Sequence, residues 1–186
     1  MKFYDHSVLA GRHAFLSASK YAWIRYDEDK LFDVFNSAMD AAMGTRLHAF
    51  AAEAIKLKRR MPDDNATLNA YVNDAIGFRM TPEVTLFASE NAFGTADAIS
   101  FNENTLRIHD LKNGVTPAKF DQLMIYACYF MIEYQFKPTE IKIVLRIYQN
   151  DEVMEYIPEL DELTHIIDKI FTFDELLTKW KADFNS

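Results

Sequence analysis

FGTADAISF (residues 93–101) and TLRIHDLK (residues 105–112) flank Asn102-Glu103-Asn104, and both alternate with the two-residue period of a strand. Phe93, Thr95, Asp97, Ile99 and Phe101 share one face of the first; Leu106, Ile108, Asp110 and Lys112 share one face of the second. Each row is largely apolar, and each carries an acid. Burying unpaired charge is costly, so these charges need a common purpose. Adjacent strands lie about 4.8 Å apart, close enough for two such acids to meet on one cation. Alone, Asp-x-Lys is most often a structural ion pair, here of Lys112 with Asp110 or Asp97. The wider context sharpens it: an acid on the preceding strand, a strand end at Asn113-Gly114, then a helix carrying Gln122 and Tyr126.

Working outward, Glu83–Phe87 reads as a third strand, which makes a meander with the other two. Downstream, a helix over about Ala118–Gln135 stops before Lys137-Pro138. Ile141–Tyr148 is a β-prone run, followed by a turn and a short strand near Val153–Ile157. The tail from about Glu159 to 184 reads as helix in two pieces. Upstream, Asp29–Arg60 holds no proline, one glycine and many alanines, and predicts one or two helices. Ala66–Phe78 predicts another. LSASKYAWIRY supplies a short helix behind Ser17 or Ser19, within a helical N-terminal segment, 1–28. The expected class is α/β: a central mixed sheet of meander, crossover helix and further strand, flanked by helices. One domain over 1–186 is expected, with its core at about 40–150.

Composition narrows the function. The chain has 186 residues, a formal net charge of −8 and one cysteine, Cys128. That charge argues against a general polyanion-binding surface, but not against a local basic groove. A single cysteine excludes a disulfide framework and any all-cysteine zinc or iron–sulfur site within one chain. No apolar stretch approaches about 20 residues and the N-terminus lacks a signal-peptide core, so no membrane partner is expected.

On the long upstream helix, Gly44 and His48 share a face, with alanines near it that allow a close approach to the sheet. A lone histidine on such a face is usually a hydrogen-bonded core residue; beside two carboxylates it becomes a candidate third metal ligand. Glu53 lies roughly 140° further round the helix and does not share that position. Glu83 opens the Glu83–Phe87 strand, and whether it or Glu53 contributes to the site is left open by the pattern. Lys56, Lys58, Arg59 and Arg60 form the densest basic run, read either as a solvated helix end or as a phosphate-binding lip on the His48 helix. Lys119, three residues before Gln122, is a further candidate for backbone contact. His6, His13, His109 and His165 are background, with His109 on the strand face opposite Asp110.

Gly44-Thr-Arg-Leu-His48, Gly94-Thr-Ala-Asp97, Asp110-Leu-Lys112 and Gln122-Leu-Met-Ile-Tyr126, in that order, resemble the PD-(D/E)xK nuclease superfamily. The match is to its RecB-like, phage-type exonuclease branch, in a form without an iron–sulfur cluster. Ala96 stands where the superfamily's proline precedes the first acid. The resemblance implies a restriction-endonuclease-like core and a divalent-metal-dependent DNA nuclease, expected to be an exonuclease in recombination, repair or phage DNA processing. Asp97, Asp110 and His48 would bind Mg²⁺ or Mn²⁺, with the Leu111 carbonyl as a further ligand. Lys112 would orient or help deprotonate the attacking water and stabilise charge on the phosphate; Gln122 and Tyr126 would hold Lys112 and the DNA backbone. DNA, double-stranded or with free ends, is the implied partner. A homo-oligomer or a recombination partner protein, and a cytoplasmic location in a bacterial or phage-infected cell, are implied alongside it. The alternative is a non-catalytic DNA-binding or regulatory protein that keeps the nuclease fold.

Overall fold

The computed structural model describes residues 14–114 and 116–184. They fall into two units, residues up to Ala42 and residues from Met43 onward, with the division inside the first α-helix. His6 and His13 lie outside the described residues.

In the first unit, Ala18–Arg25 is a 3-10 helix rather than an α-helix. Ser17 precedes it but makes no side-chain cap; its hydroxyl meets that of Ser19 at 2.8 Å, while the Trp23 indole donates to the Ser17 carbonyl at 2.9 Å. The carboxylate of Asp27 accepts from the Lys30 amide at 2.8 Å, satisfying one of the orphan donors at the start of α1 (Glu28–Lys56). Phe15 packs edge-on against Phe35 of that helix.

α1 is one helix of 29 residues, and it ends at Lys56, not at Arg60. Lys58 takes a left-handed φ of 53°, the Arg59 amide bonds the Ala54 carbonyl, and the Lys58 amide bonds the Ile55 carbonyl. This paired closure is a Schellman stop. The basic run is therefore mostly the exit from the helix. α2 (Thr67–Gly77) follows.

The sheet is mixed, five-stranded and open, in the order β1-β2-β3-β4-β5. β1 (Thr81–Ser89), β2 (Ala92–Asn102) and β3 (Thr105–Leu111) form the expected antiparallel meander. α3 (Asp121–Glu133) is the crossover that lets β4 (Lys142–Gln149) run parallel to β3. β5 (Glu152–Tyr156) pairs antiparallel with β4. The fold is thus α/β, as the sequence predicts. β1 begins two residues earlier than the pattern marks. The tail is one continuous helix, α4 (Leu160–Phe184), rather than two pieces; nothing between those residues is a proline or glycine that would break it.

Two apolar clusters sandwich the sheet. On one face Leu106, Ile108, Leu145 and Ile147 pack with Leu123, Ala127 and Met131 of α3 and with Leu163 of α4. On the other, Leu111, Tyr148 and Ala98 pack with Ala51, Ala54 and Ile55 of α1 and with Tyr71, Val72 and Ala75 of α2. The alternation along β3 explains the division: Leu106 and Ile108 point one way, His109 and Leu111 the other. Asp110 and Lys112 therefore face α3, and His109 faces α2.

Candidate metal centre

The ladder between β2 and β3 stops at Ala98 and His109, whereas β2 stays paired with β1 back to Ala92 and β3 stays paired with β4 on to Leu111. The two strands fork, and Asp97 and Asp110, the next facing pair in that register, sit at the crotch. A fork leaves strand backbone without a strand partner. Asp97 fills part of that gap: its Oδ2 accepts the Leu111 amide at 3.0 Å. The same oxygen lies 3.2 Å from His48 Nδ1, which α1 brings to the fork. This hydrogen bond lifts the His48 pKa above the ordinary imidazole value against the opposing effect of burial, and Asp110 and Glu83 add to the rise.

Asp110 is buried, with 3% of its surface exposed. Lys112 Nζ stands 3.1 Å from its Oδ1 and 2.9 Å from its Oδ2, so the ammonium straddles the carboxylate. Burial first, and then the nearby charge of Asp97, push its carboxyl up to about 6, despite the pull of Lys112. Lys112 Nζ also donates to Gln122 Oε1 at 3.0 Å, and Gln122 Nε2 donates to the Tyr126 hydroxyl at 3.2 Å. The one-turn spacing of Gln122 and Tyr126 on α3 makes that relay possible.

The two motif glycines are explained by close approach. A Cβ on Gly94 would sit 2.9 Å from Tyr126 Cε1, and one on Gly44 would sit 2.8 Å from the Asn113 amide nitrogen. Gly94 thus lets α3 press its tyrosine onto β2, and Gly44 lets α1 close on the residue after Lys112. All four sequence segments therefore touch: Gly44 with Asn113, His48 with Asp97, Lys112 with Gln122, and Tyr126 with Gly94.

Three further residues join or support the site: Glu83, which the sequence leaves open, and Tyr71 and Gln149, which it does not single out. Glu83 of β1 joins His48 and Asp97, each offering one ligand atom, all within 4.8 Å of one another. Asp110 is outside that trio and is engaged with Lys112. Tyr71 of α2 is buried beside the acids; burial and the charges of Asp97, Asp110 and Glu83 raise its pKa, so the phenol stays protonated. Gln149 at the end of β4 clamps the β3–α3 connection: its Nε2 donates to the carbonyls of Gly114 and Thr116, and its Oε1 accepts from the Ala118 amide at 3.1 Å. Apolar patterning marks α2 only as a core helix, and a glutamine that binds backbone carries no periodic signal.

Other expected site residues stand apart from this arrangement. Lys56, Lys58, Arg59 and Arg60 are exposed at the α1 exit, and Lys119 is exposed in the loop before α3, where helical spacing to Gln122 does not apply. Leu111, expected to offer its carbonyl, lies at the fork itself, where its amide donates to Asp97 Oδ2. Glu53 is exposed and absent from the cluster.

An α/β chain with an acid–imidazole cluster beside an acid–lysine–glutamine–tyrosine relay is the class that fold and site define. The family described as "Protein of unknown function (DUF2800)" matches residues 83–179, more than half of the sequence, and the chain belongs to it. No curated protein matches. A solved structure titled "Crystal structure of SSO0001" is similar at 11% identity, over 71% of this chain and 86% of that one, with a TM-score of 0.30, a likeness too slight to carry a structural conclusion. Among the described residues, no helix is long and apolar enough to cross a membrane.

Proposed function

We propose that this protein is a divalent-metal-dependent nuclease of the PD-(D/E)xK, RecB-like kind, an exonuclease acting on DNA ends. The observation that carries the reading is the mutual contact of the four motif segments at the strand fork. Residues spread from Gly44 to Tyr126 have no structural need to meet at one polar point unless that point has a use.

The residues fit a hard cation. His48, Asp97 and Glu83 offer an imidazole nitrogen and two carboxylate oxygens within 4.8 Å of one another, and the buried Asp110 carboxylate, ion-paired with Lys112, lies on the facing strand. Mg²⁺ suits the carboxylates and Mn²⁺ the mixed set. A bound divalent cation supplies charge neutralisation at a phosphodiester and acidifies water. Lys112, held by Asp110 and Gln122, is positioned to place its charge where phosphate oxygens gain theirs. Gln122 and Tyr126 keep that ammonium from swinging away. Within this reading, the exposed run from Lys56 to Arg60 and Lys119 are contacts for the DNA backbone, which position a duplex without reading its sequence.

End-labelled linear DNA and closed circular DNA are incubated with the protein in Mg²⁺, Mn²⁺ or EDTA. Release of the label from linear DNA alone, blocked by EDTA, is the expected result. Cutting of the closed circle makes the activity an endonuclease. No cleavage with either metal, with DNA binding retained, favours the non-catalytic alternative.

A further inference from the structure

Beyond the fork, β1 and β2 run on together as a two-stranded hairpin, and one of its faces is left open. Glu83, Thr85 and Phe87 of β1 and Phe93, Thr95 and Asp97 of β2 alternate with buried Pro82, Leu86, Ala92 and Ala96. They therefore share the face on which His48 meets Asp97. Phe87 pairs with Phe93 and Thr85 with Thr95, and the two threonine hydroxyls meet at 3.0 Å. Pro82 pairs with Ala98 and Val84 with Ala96, which puts Glu83 opposite Asp97. Read outward from the candidate metal centre, the face presents an acid pair, a hydroxyl pair and an aromatic pair.

The aromatic pair stays in water: Phe87 is 45% exposed and Phe93 58%, with ring planes 22° from parallel and centroids 6.3 Å apart. The hairpin tip is pinned from elsewhere. The Phe87 amide donates to Glu133 of α3 at 2.9 Å, and Asp174 of α4 accepts from the side chains of Ser89 and Asn91. Rings on a fixed backbone lose little freedom when a ligand covers them. None of the six residues on this face is a lysine or arginine, so the outer part offers nothing to a phosphate. It offers π faces instead. Every nucleobase has a matching face, and stacking on an aromatic side chain binds it without reading its identity. Four residues separate Phe93 from Asp97, roughly 13 Å along a strand, the length of a few nucleotides.

We infer that Phe87 and Phe93 form a stacking platform for an unpaired nucleobase of the strand whose phosphate lies at the fork. This rests on the nuclease reading of the site. It makes the substrate at this point a single strand or a frayed end, because only an unstacked base has a face free to meet an aromatic ring. The threonine pair between platform and acids leaves hydroxyls, rather than charges, along the path of the strand.

The test is the affinity of the full-length chain, in Mg²⁺ and with Lys112→Ala to prevent cutting, for a single-stranded oligonucleotide of about 12 nucleotides. A second oligonucleotide of the same length keeps every phosphate but carries abasic sites throughout. Replacing both phenylalanines together, as Phe87→Ala with Phe93→Ala, is expected to weaken binding of the normal strand at least about fivefold. Binding of the abasic strand should not change. Phe87→Leu with Phe93→Leu keeps apolar bulk on the hairpin without a π face, and serves if the alanine pair fails to fold; the same loss is expected from it. Phe184→Ala, at an exposed phenylalanine of α4, should match the parent. If the platform variants keep full affinity for the normal strand while the wild type degrades DNA, the platform is refuted and the nuclease reading stands. Equal weakening on the abasic strand, or by Phe184→Ala, also refutes the platform, since the loss is then not one of base stacking. A wild-type chain that neither binds nor cuts DNA overturns both.

Discussion

Lys112 illustrates how one side chain separates the functional reading from the structural one. Its ammonium joins Asp110 and Gln122, yet 30% of the side chain is exposed, so water can replace part of what those partners give. Lys112→Ala is expected to fold and to bind DNA as the wild type does, while cleavage falls by about 100-fold or more, the scale of losing one electrostatic stabiliser of a transition state. Normal cutting, or collapse of the fold, returns Lys112 to a structural ion pair. His109, on the opposite face of the same strand, makes a pure stability prediction. The Tyr148 hydroxyl donates to Asp74 at 2.7 Å, so at 3.2 Å it accepts from His109 Nδ1, and Nε2 is buried without a partner. Burial, aided by the charges of Arg146 and Arg107, pushes the His109 pKa down to about 3. The unfolded chain takes up this proton near pH 6.5 and the folded one refuses it. The contribution is therefore intact above about pH 6.5 and drains away as pH falls toward 3. Two units into that window it amounts to about 2–3 kcal/mol. Urea unfolding of the wild type and His109→Leu at pH 7 and pH 4.5 should show the gap between the two pH values narrowed by that amount in the variant. Asp110, shifted up, acts in the opposite sense but is common to both proteins. Equal gaps refute the account.

Elements explain what is legible in the sequence and what is not. Asp97, Asp110 and Lys112 are readable because they interrupt apolar rows of period two, and a strand's alternation survives into the structure. Gln122 and Tyr126 are readable because one helical turn separates them. Glu83 is readable as a strand residue but not as a site residue, since its left-handed backbone breaks the alternation that would show which way it faces. Gln149 is not, since it acts through backbone carbonyls 35 and 33 residues away in sequence. The basic run escapes placement for a related reason: alanine-rich propensity continues toward Arg60, but the chain turns left-handed at Lys58 and the helix stops. Its cations suit two accounts that an experiment divides. As a helix end, they interact with the negative pole of α1 and do little else. As a DNA-binding lip, they set a salt dependence. Neutralising Lys56, Lys58, Arg59 and Arg60 together, in an Asp97→Asn background that prevents cutting, should weaken binding to every duplex alike. The slope of log affinity against log salt should flatten by about 0.9 for each phosphate left without its cation. An unchanged slope assigns the run to helix termination and leaves Lys119 as the remaining candidate.

At the scale of the whole molecule, the core and the candidate site rest on different forces. The two apolar clusters that hold the sheet contain neither the acids nor His48. Removal of metal should therefore leave the chain folded, and EDTA should not change its circular dichroism. The fork is different, because Glu83, Asp97 and Asp110 bring three carboxylates together with Lys112 and His48 as the opposing charges. An ion that binds only the folded chain stabilises it in proportion to the logarithm of its concentration. At 100 times its dissociation constant the gain is about 2.7 kcal/mol. For a chain of this size each kcal/mol moves the melting temperature by about 2–4 °C. Mn²⁺ titrated into the metal-free protein should thus raise Tm by roughly 5–10 °C over that range, without a plateau. Asp97→Asn is the informative variant. Asparagine keeps an oxygen to accept the Leu111 amide, so the metal-free Tm should stay near that of the wild type, while the rise with Mn²⁺ is lost. A rise that survives Asp97→Asn places the ion away from the fork and removes the basis for a metal centre there; a metal-free Tm that drops sharply instead makes Asp97 a structural clasp for the forked strands.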